Sequence, residues 1–235
     1  MDAAWTRPDL NGSSRRDSYS GSSLLTYMNN NSKVLALKYR PQTFDDLIGQ
    51  EVVAETITNS IKADKIPNAY LFTGIRGIGK TTIARIVAKT LNCSNGIENK
   101  CKVKCENCDS IASSNHIDVL EMDAASKTGV DDVRDLIEFS RYGPTSAKYK
   151  IFIIDEVHML SKQAFNALLK TLEEPPEYLK FIFATTEIKK IPITVVSRSQ
   201  RFDLSRIRSS KVCGLYFNAS TFELLIIYIR RLEPE

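Results

Sequence analysis

Gly74-Ile75-Arg76-Gly77-Ile78-Gly79-Lys80-Thr81 carries the spacing G-x-x-x-x-G-K-[ST] of a phosphate-binding loop. Ahead of it, Ala69-Tyr70-Leu71-Phe72 is a short apolar run that reads as a buried strand, and behind it Thr82 to Lys89 reads as a helix. The order matters chemically. Glycines let the backbone wrap closely around an anion, and the amide N–H groups of the loop and the helix start point inward at it. Lys80 supplies a cation for the outer phosphates and the Thr81 hydroxyl a ligand for Mg²⁺. The four fixed positions would coincide by chance in roughly 1% of chains of this length, and the strand-loop-helix context lowers that further.

Outward from the loop, strands and helices alternate. Ile117 to Met122 reads as a strand. Val130, Val133, Leu136 and Ile137 mark an amphipathic helix that ends before Gly143-Pro144. Ile151-Phe152-Ile153-Ile154 is continuously apolar, as a parallel strand buried on both faces requires. Ala164, Leu168, Leu169 and Leu172 form another helical stripe stopped by Pro175-Pro176, and Phe181 to Ala184 reads as a further buried strand. Upstream, Val52, Val53, Ile57 and Ile61 recur at helical spacing. The alternation predicts an α/β fold with a parallel, helix-covered sheet.

Two strand ends extend the candidate site. Ile151 to Ile154 runs into Asp155-Glu156. Asp155 is placed to hold Mg²⁺ and Glu156 to polarise an attacking water as general base, although acids after a strand also commonly begin a loop. Phe181 to Ala184 runs into Thr185-Thr186, where a hydroxyl can contact a terminal phosphate or simply close the strand.

Composition sets the remaining bounds. The 235 residues allow one or two domains, and a net charge of +4 from 32 basic and 28 acidic side chains is too mild to argue for nucleic-acid binding by itself. The longest apolar stretch, Leu215 to Ile229, is interrupted by Asn218 and Glu223 and is too short for a membrane helix. Residues 1–32 are rich in Ser, Asn and Gly without an apolar period and read as a disordered extension, with Met28 as a plausible start of the functional chain. Four of the five cysteines, Cys93, Cys101, Cys105 and Cys108, crowd one segment, which in a reducing compartment points to a metal rather than disulfides.

Longer stretches carry a resemblance. Leu37 to Gln50, Gly74 to Arg85, Met122 to Ser126, Ile154 to Leu160, Asn166 to Pro176 and Ser197-Arg198-Ser199 are together similar to clamp-loader ATPases, in particular the gamma/tau subunits of bacterial DNA polymerase III. The resemblance runs from about Val34 to Ile207. It implies an AAA+ core over residues 33–207 that binds ATP with Mg²⁺ and acts as a clamp-loader ATPase. Its implied partners are other clamp-loader subunits, the sliding clamp, primed DNA and the replicative polymerase, in the cytoplasm at the nucleoid-associated replisome and away from membranes. It places Tyr39, Arg40, Pro41 and Ile48 at the adenine pocket and Gly74 to Thr81 around the phosphates. Asp155 would serve Mg²⁺, Glu156 would be the base, and Thr186 would be a sensor. Arg198 would reach a neighbouring subunit's site, a finger that in related chemistry is worth about 10³–10⁵ in rate; Ser199 stands where the family pattern has cysteine.

The same resemblance makes residues 92–115 a zinc-binding insertion. The spacing Cys93-x7-Cys101-x3-Cys105-x2-Cys108 suits four thiolates around a tetrahedral Zn²⁺, although the family usually spaces its last three cysteines two and two. His116 is left out of that set and Cys213 is expected to be a bystander. After Ile207 the likeness stops: residues 208–235 are expected to be a divergent tail in place of a helical lid, as in a truncated or frameshifted product. Two further readings therefore stay open. One is a nucleotide- and zinc-binding module without turnover of its own. The other is a different AAA+ DNA-remodelling ATPase, against which the cysteine segment and the opening stretch argue.

Overall fold

The computed structural model describes residues 40–96, 105–127 and 129–206. The expectations for residues 1–32, Tyr39, Cys101, Cys213 and the tail 208–235 lie outside them.

Among the described residues, five parallel strands form one sheet in the order β2-β3-β4-β1-β5, with β1 at Ala69–Thr73, β2 at Val119–Asp123, β3 at Lys150–Asp155, β4 at Leu179–Thr185 and β5 at Gln200–Asp203. The helices are α1 (Glu51–Lys62), α2 (Lys80–Asn92), α3 (Glu106–Ala112), α4 (Val130–Ser140), α5 (Lys162–Glu173) and α6 (Ile193–Ser197). Short 3₁₀ turns at Val157–Met159 and Ile188–Lys190 follow β3 and β4.

Side-chain alternation along the strands divides the core in two. Ala69, Leu71, Phe152, Ile154, Phe181 and Phe183 pack with Val133 and Leu136 of α4 and Phe165 and Leu168 of α5. Their alternates Tyr70, Phe72, Ile151, Ile153 and Ile182 pack with Ile57 and Ile61 of α1 and Ile83, Val87 and Leu91 of α2. Every residue of β1 and β4 is buried. That is why these strands read as unbroken apolar runs rather than as alternating ones. Burying a side chain such as Phe181 or Ile153 is worth about 1.5–3 kcal/mol each.

Local chemistry sets the element ends. The Ser161 hydroxyl accepts the Ala164 N–H at 3.2 Å and caps α5, and α5 stops ahead of Pro175-Pro176. At the carboxyl side of α4, the buried Lys150 ammonium donates to the Phe139 and Tyr142 carbonyls at 2.7 and 2.9 Å, satisfying acceptors that a helix end leaves open. The expected strand from Ile117 begins instead at Val119, and Ile117 is exposed. The preceding Asp118 has another task. Its buried carboxylate accepts the N–H groups of Thr145, Ser146 and Ala147 at 2.7–3.0 Å and ties the loop before β3 to the start of β2. Val52 is likewise no part of the buried stripe of α1; it is exposed, and Ala54, Ile57 and Ile61 make the contact.

β5 has no clear apolar signature in the sequence. Only Phe202 of its four residues is buried, and the strand exists because it pairs with β1 along the edge of the sheet. Since all five strands run the same way, Thr73, Asp123, Asp155, Thr185 and Asp203 end them on one side, and the loop 74–79 rises there. Crevices at the carboxyl ends of parallel strands are where such sheets bind ligands.

Candidate functional site

The loop begins at Gly74 with φ +148°, and a Cβ there would lie 3.0 Å from the Leu204 carbonyl oxygen, so the position excludes a side chain. Gly79, at φ +98°, leads into α2, which opens on Lys80. The root of the loop is stitched to the end of β5: the Leu204 N–H donates to the Thr73 carbonyl at 2.8 Å, and the Thr73 hydroxyl donates to Asp203.

Lys80 is 5% exposed, and its ammonium donates to the Gly74 and Ile75 carbonyls, both at 3.1 Å. Burial lowers its pKa, the negative charges of Glu156 and Asp155 partly offset that, and Arg76 adds to the lowering. The Thr81 hydroxyl donates to the Asp155 carboxylate at 2.5 Å across 74 residues of chain. The strand order puts β4 between β1, which leads into the loop, and β3, which ends at Asp155; Thr81, in the first turn of α2, meets Asp155 across that gap. A hydroxyl and a carboxylate oxygen in contact beside a lysine form a hard-oxygen pair that fits Mg²⁺ with a phosphate. This donor set matches the group the loop implies.

Glu156 follows with its backbone in the left-handed region at φ 46°. Its N–H donates to Asp155 Oδ1 at 2.9 Å, while its Oε2 accepts the Thr186 N–H at 3.2 Å and the Thr186 hydroxyl at 3.1 Å. The proposed base and the proposed sensor therefore touch. Thr185 turns the other way, fully buried, with Oγ1 3.1 Å from His158 Nδ1.

A cavity of about 510 Å³ lies over the outer side of the loop, lined among others by Pro41, Ile48, Ile75, Arg76, Gly77, Ile78 and Gly79. That volume is within the usual range for small-ligand sites, about 300–1,000 Å³. Two of the expected adenine-pocket residues, Pro41 and Ile48, are on its wall. Arg40 is not among its lining residues: its Nε donates to the Thr82 hydroxyl at 3.0 Å. Sequence reasoning missed six residues of this cavity, Asp46, Leu47, Gln50, Thr82, Ile83 and Arg206. Gln50 is buried at the start of α1 and its Nε2 donates to the Ser205 carbonyl at 2.7 Å. Only folding joins these two ends of the described chain, and no local pattern announces it.

Arg198 stands apart from this group. It follows α6, donates to Glu173 Oε1 at 2.7 Å and to the Thr194 carbonyl at 3.0 Å, and its side chain is 35% exposed.

The sulfur atoms of Cys93, Cys105 and Cys108 lie within 4.8 Å of one another, Cys93 half-buried and the other two buried. Cys93 ends α2, while Cys105 and Cys108 sit at the start of α3. Burial pushes the Cys105 thiol up, but hydrogen bonds from Ser94 and from Cys108 outweigh it and bring its pKa down to about 6. A Cys105 thiol that ionises readily, with two further sulfur atoms at this spacing, fits a tetrahedral metal ion. His116 is engaged elsewhere: Nδ1 accepts the Asp118 N–H at 3.0 Å and Nε2 faces Asn107 Oδ1 at 3.4 Å.

The family model described as DNA polymerase III, delta subunit, matches residues 49–208, the interval that holds the loop, both acids, the cysteines and Arg198. The chain belongs to this DNA polymerase III subunit family. It is 48% identical over 204 residues to a DNA polymerase III subunit gamma of Buchnera aphidicola subsp. Baizongia pistaciae, covering 86% of this chain and 55% of that one. To the DNA polymerase III subunit tau of Escherichia coli it is 51% identical over 176 residues, 74% of this chain and 27% of the relative. The chain thus spans about half of the first relative's length and about a quarter of the second's. Among solved structures, a DNA polymerase III gamma-subunit-related protein of Thermotoga maritima aligns with a TM-score of 0.51 at 25% identity, over 66% of this chain and 47% of that one. A RuvB variant from Thermotoga maritima aligns with a TM-score of 0.54 at 20% identity, over 77% and 53% of the two chains, a likeness of fold. The parallel sheet with its flanking helices is thus the AAA+ P-loop architecture that the resemblance implied. Among the described residues of this family member, no helix is long and apolar enough to cross a membrane.

Proposed function

We propose that this chain is an ATP-binding and ATP-hydrolysing subunit of a DNA polymerase III clamp loader, loading the sliding clamp onto primed DNA. The observation that carries the reading is the contact between Thr81 and Asp155, a phosphate-loop hydroxyl against a strand-end acid, with Lys80 and Glu156 adjoining it. When bound with Mg²⁺, ATP supplies the phosphoanhydride bond to be cleaved. In this reading the amides of Ile75 to Thr81 hold phosphate oxygens, and Lys80 exchanges its two carbonyl partners for the charge of the outer phosphates. Thr81 and Asp155 hold the ion, Glu156 takes a proton from the attacking water, and Thr186 orients that water or reads the phosphate. Pro41, Ile48 and Tyr39 take the base, with Arg40 bracing Thr82 from outside. Arg198 serves an adjacent subunit's site, and its half-open ion pair with Glu173 leaves the guanidinium within reach of a partner surface.

We further assign Cys93, Cys101, Cys105 and Cys108 to a structural Zn²⁺ in an insertion spanning 92–115. The core is assigned to 33–207, preceded by an extension over 1–32 and followed by a divergent tail over 208–235. The replisome of the cytoplasm is the expected setting, with the replicative polymerase and other clamp-loader subunits as partners.

The contact between Glu156 and Thr186 favours a second reading, a module that binds nucleotide without turnover, because both donors of Thr186 are spent on the base. Single-turnover hydrolysis of radiolabelled ATP, with and without authentic clamp-loader subunits, clamp and primed DNA, separates the two. Hydrolysis that rises on adding these components is expected. Binding without cleavage in every mixture refutes the ATPase reading and leaves the module.

A further inference from the structure

We propose that His158 is a positioning residue for Glu156, acting through Thr185 and the turn that follows β4. Its kinetic consequence rests on the ATPase reading above; its structural consequence does not.

His158 lies in the 3₁₀ turn directly after β3, with a side chain only 6% exposed. Its ring faces three groups: Thr185 Oγ1 at 3.1 Å and Glu156 Oε2 at 3.4 Å from Nδ1, and Glu187 Oε1 at 3.6 Å from Nε2. Thr185 decides how the ring is used. Its oxygen accepts the Glu187 N–H at 3.0 Å, and the residue is fully buried. With its oxygen accepting from Glu187, the hydroxyl still has its own proton to give, and in this proposal it goes to Nδ1 at 3.1 Å. That leaves Nδ1 bare and places the ring proton on Nε2, toward Glu187. Two acceptors 3.4 Å apart do not attract, so His158 does not hold Glu156 directly. It holds Thr185. Thr185 then fixes the Glu187 N–H, and the turn between them presents both the N–H and the hydroxyl of Thr186 to Glu156 Oε2. The carboxylate is thus steered from a strand away, by a relay that starts three residues beyond Asp155.

The test follows amide hydrogen exchange of Thr186 and Glu187 by NMR in the full chain, beside the affinity for a fluorescent ATP analogue and single-turnover hydrolysis. His158→Leu removes the acceptor and should speed exchange at these two amides by about 5- to 150-fold, the range set by orphaning one buried hydroxyl. The rest of β4 should stay protected. His158→Asn, which keeps an oxygen near the position of Nδ1, should restore protection; His158→Gln, whose oxygen falls near Nε2, should not. Hydrolysis should fall about 10²-fold in the Leu variant, as misplacing a reacting group costs, with nucleotide affinity unchanged within about twofold. Thr185→Val deletes the hydroxyl without touching the ring and should reproduce the Leu pattern, which keeps the test alive if the His158 variant fails to fold.

Wild-type exchange rates in the Leu or Val variant, equal rescue by Gln and Asn, exchange rising along all of β4, or a ring proton found on Nδ1 would each overturn the proposal. If the wild-type chain binds nucleotide and never cleaves it, the ATPase reading falls, and the exchange data still decide the role of His158.

Discussion

Replacing Lys80 with methionine should separate nucleotide binding from stability. The ammonium has two carbonyl partners, each at 3.1 Å, and the residue is 5% exposed. Hydrogen bonds to a charged group contribute about 1.5–3 kcal/mol each, yet removing an ammonium from water costs several kcal/mol. The two nearly cancel, and the lowered pKa of Lys80, caused first by burial, has the sign of a desolvation cost. Methionine keeps most of the aliphatic stem, so the net change in stability should stay within about 1 kcal/mol, or about 2–4 °C in melting temperature for a chain of this size. Binding should respond very differently. Losing one charge-assisted contact to phosphate costs about 1.5–3 kcal/mol, which is about 10- to 150-fold in Kd. The assay is titration with a fluorescent ATP analogue beside thermal melting of the same preparation. Unchanged affinity together with a melting temperature lowered by more than 10 °C, about three times the shift of 1 kcal/mol, would refute the reasoning and make Lys80 a structural residue of the loop.

Other perturbations test separate parts of the site. Glu156→Gln should bind ATP normally and lower single-turnover hydrolysis by about 10²–10⁴-fold, the usual worth of a general base, as read by phosphate release. Elemental analysis should find close to one zinc per chain, and a chelator or Cys105→Ser should release it and unfold the segment around α3, seen as lost amide protection there. Asp118 carries a carboxyl pKa held below the ordinary 3.8; burial raises it, and the hydrogen bonds from Ser146, Thr145 and Ala147 outweigh that. A depressed carboxyl stabilises the fold above its unfolded pKa, and that contribution is lost as pH falls through the native one. Urea unfolding between pH 7 and pH 3 should therefore show stability falling below about pH 4, with a flatter acid limb in Asp118→Asn.

Much of the architecture was legible because burial writes itself into local composition. β1, β3 and β4 are enclosed on both faces, so Ala69 to Phe72, Ile151 to Ile154 and Phe181 to Ala184 are apolar at nearly every position. β5 was not legible. Its exposed Gln200, Arg201 and Asp203 tell nothing of a strand, and pairing with β1 alone makes it one. Ile117 and Val52 misled for the opposite reason: each extends an apolar pattern by one residue past the point where the chain turns its side chain to solvent.

The sequence by itself determined the phosphate loop, the acids after β3, the threonines after β4 and the clustering of the cysteines, because each depends on residues a few positions apart whose chemistry is local. Tertiary structure alone decided which of them meet. The packed fold brings Thr81 to Asp155, Thr186 to Glu156 and Gln50 to Ser205 across separations of 74, 30 and 155 residues. It also sent Arg40 to Thr82 and Arg198 to Glu173, and it enclosed His158 against Thr185. A motif lists the groups available, but a buried donor must find an acceptor, and only the packed fold determines which one lies within hydrogen-bonding distance.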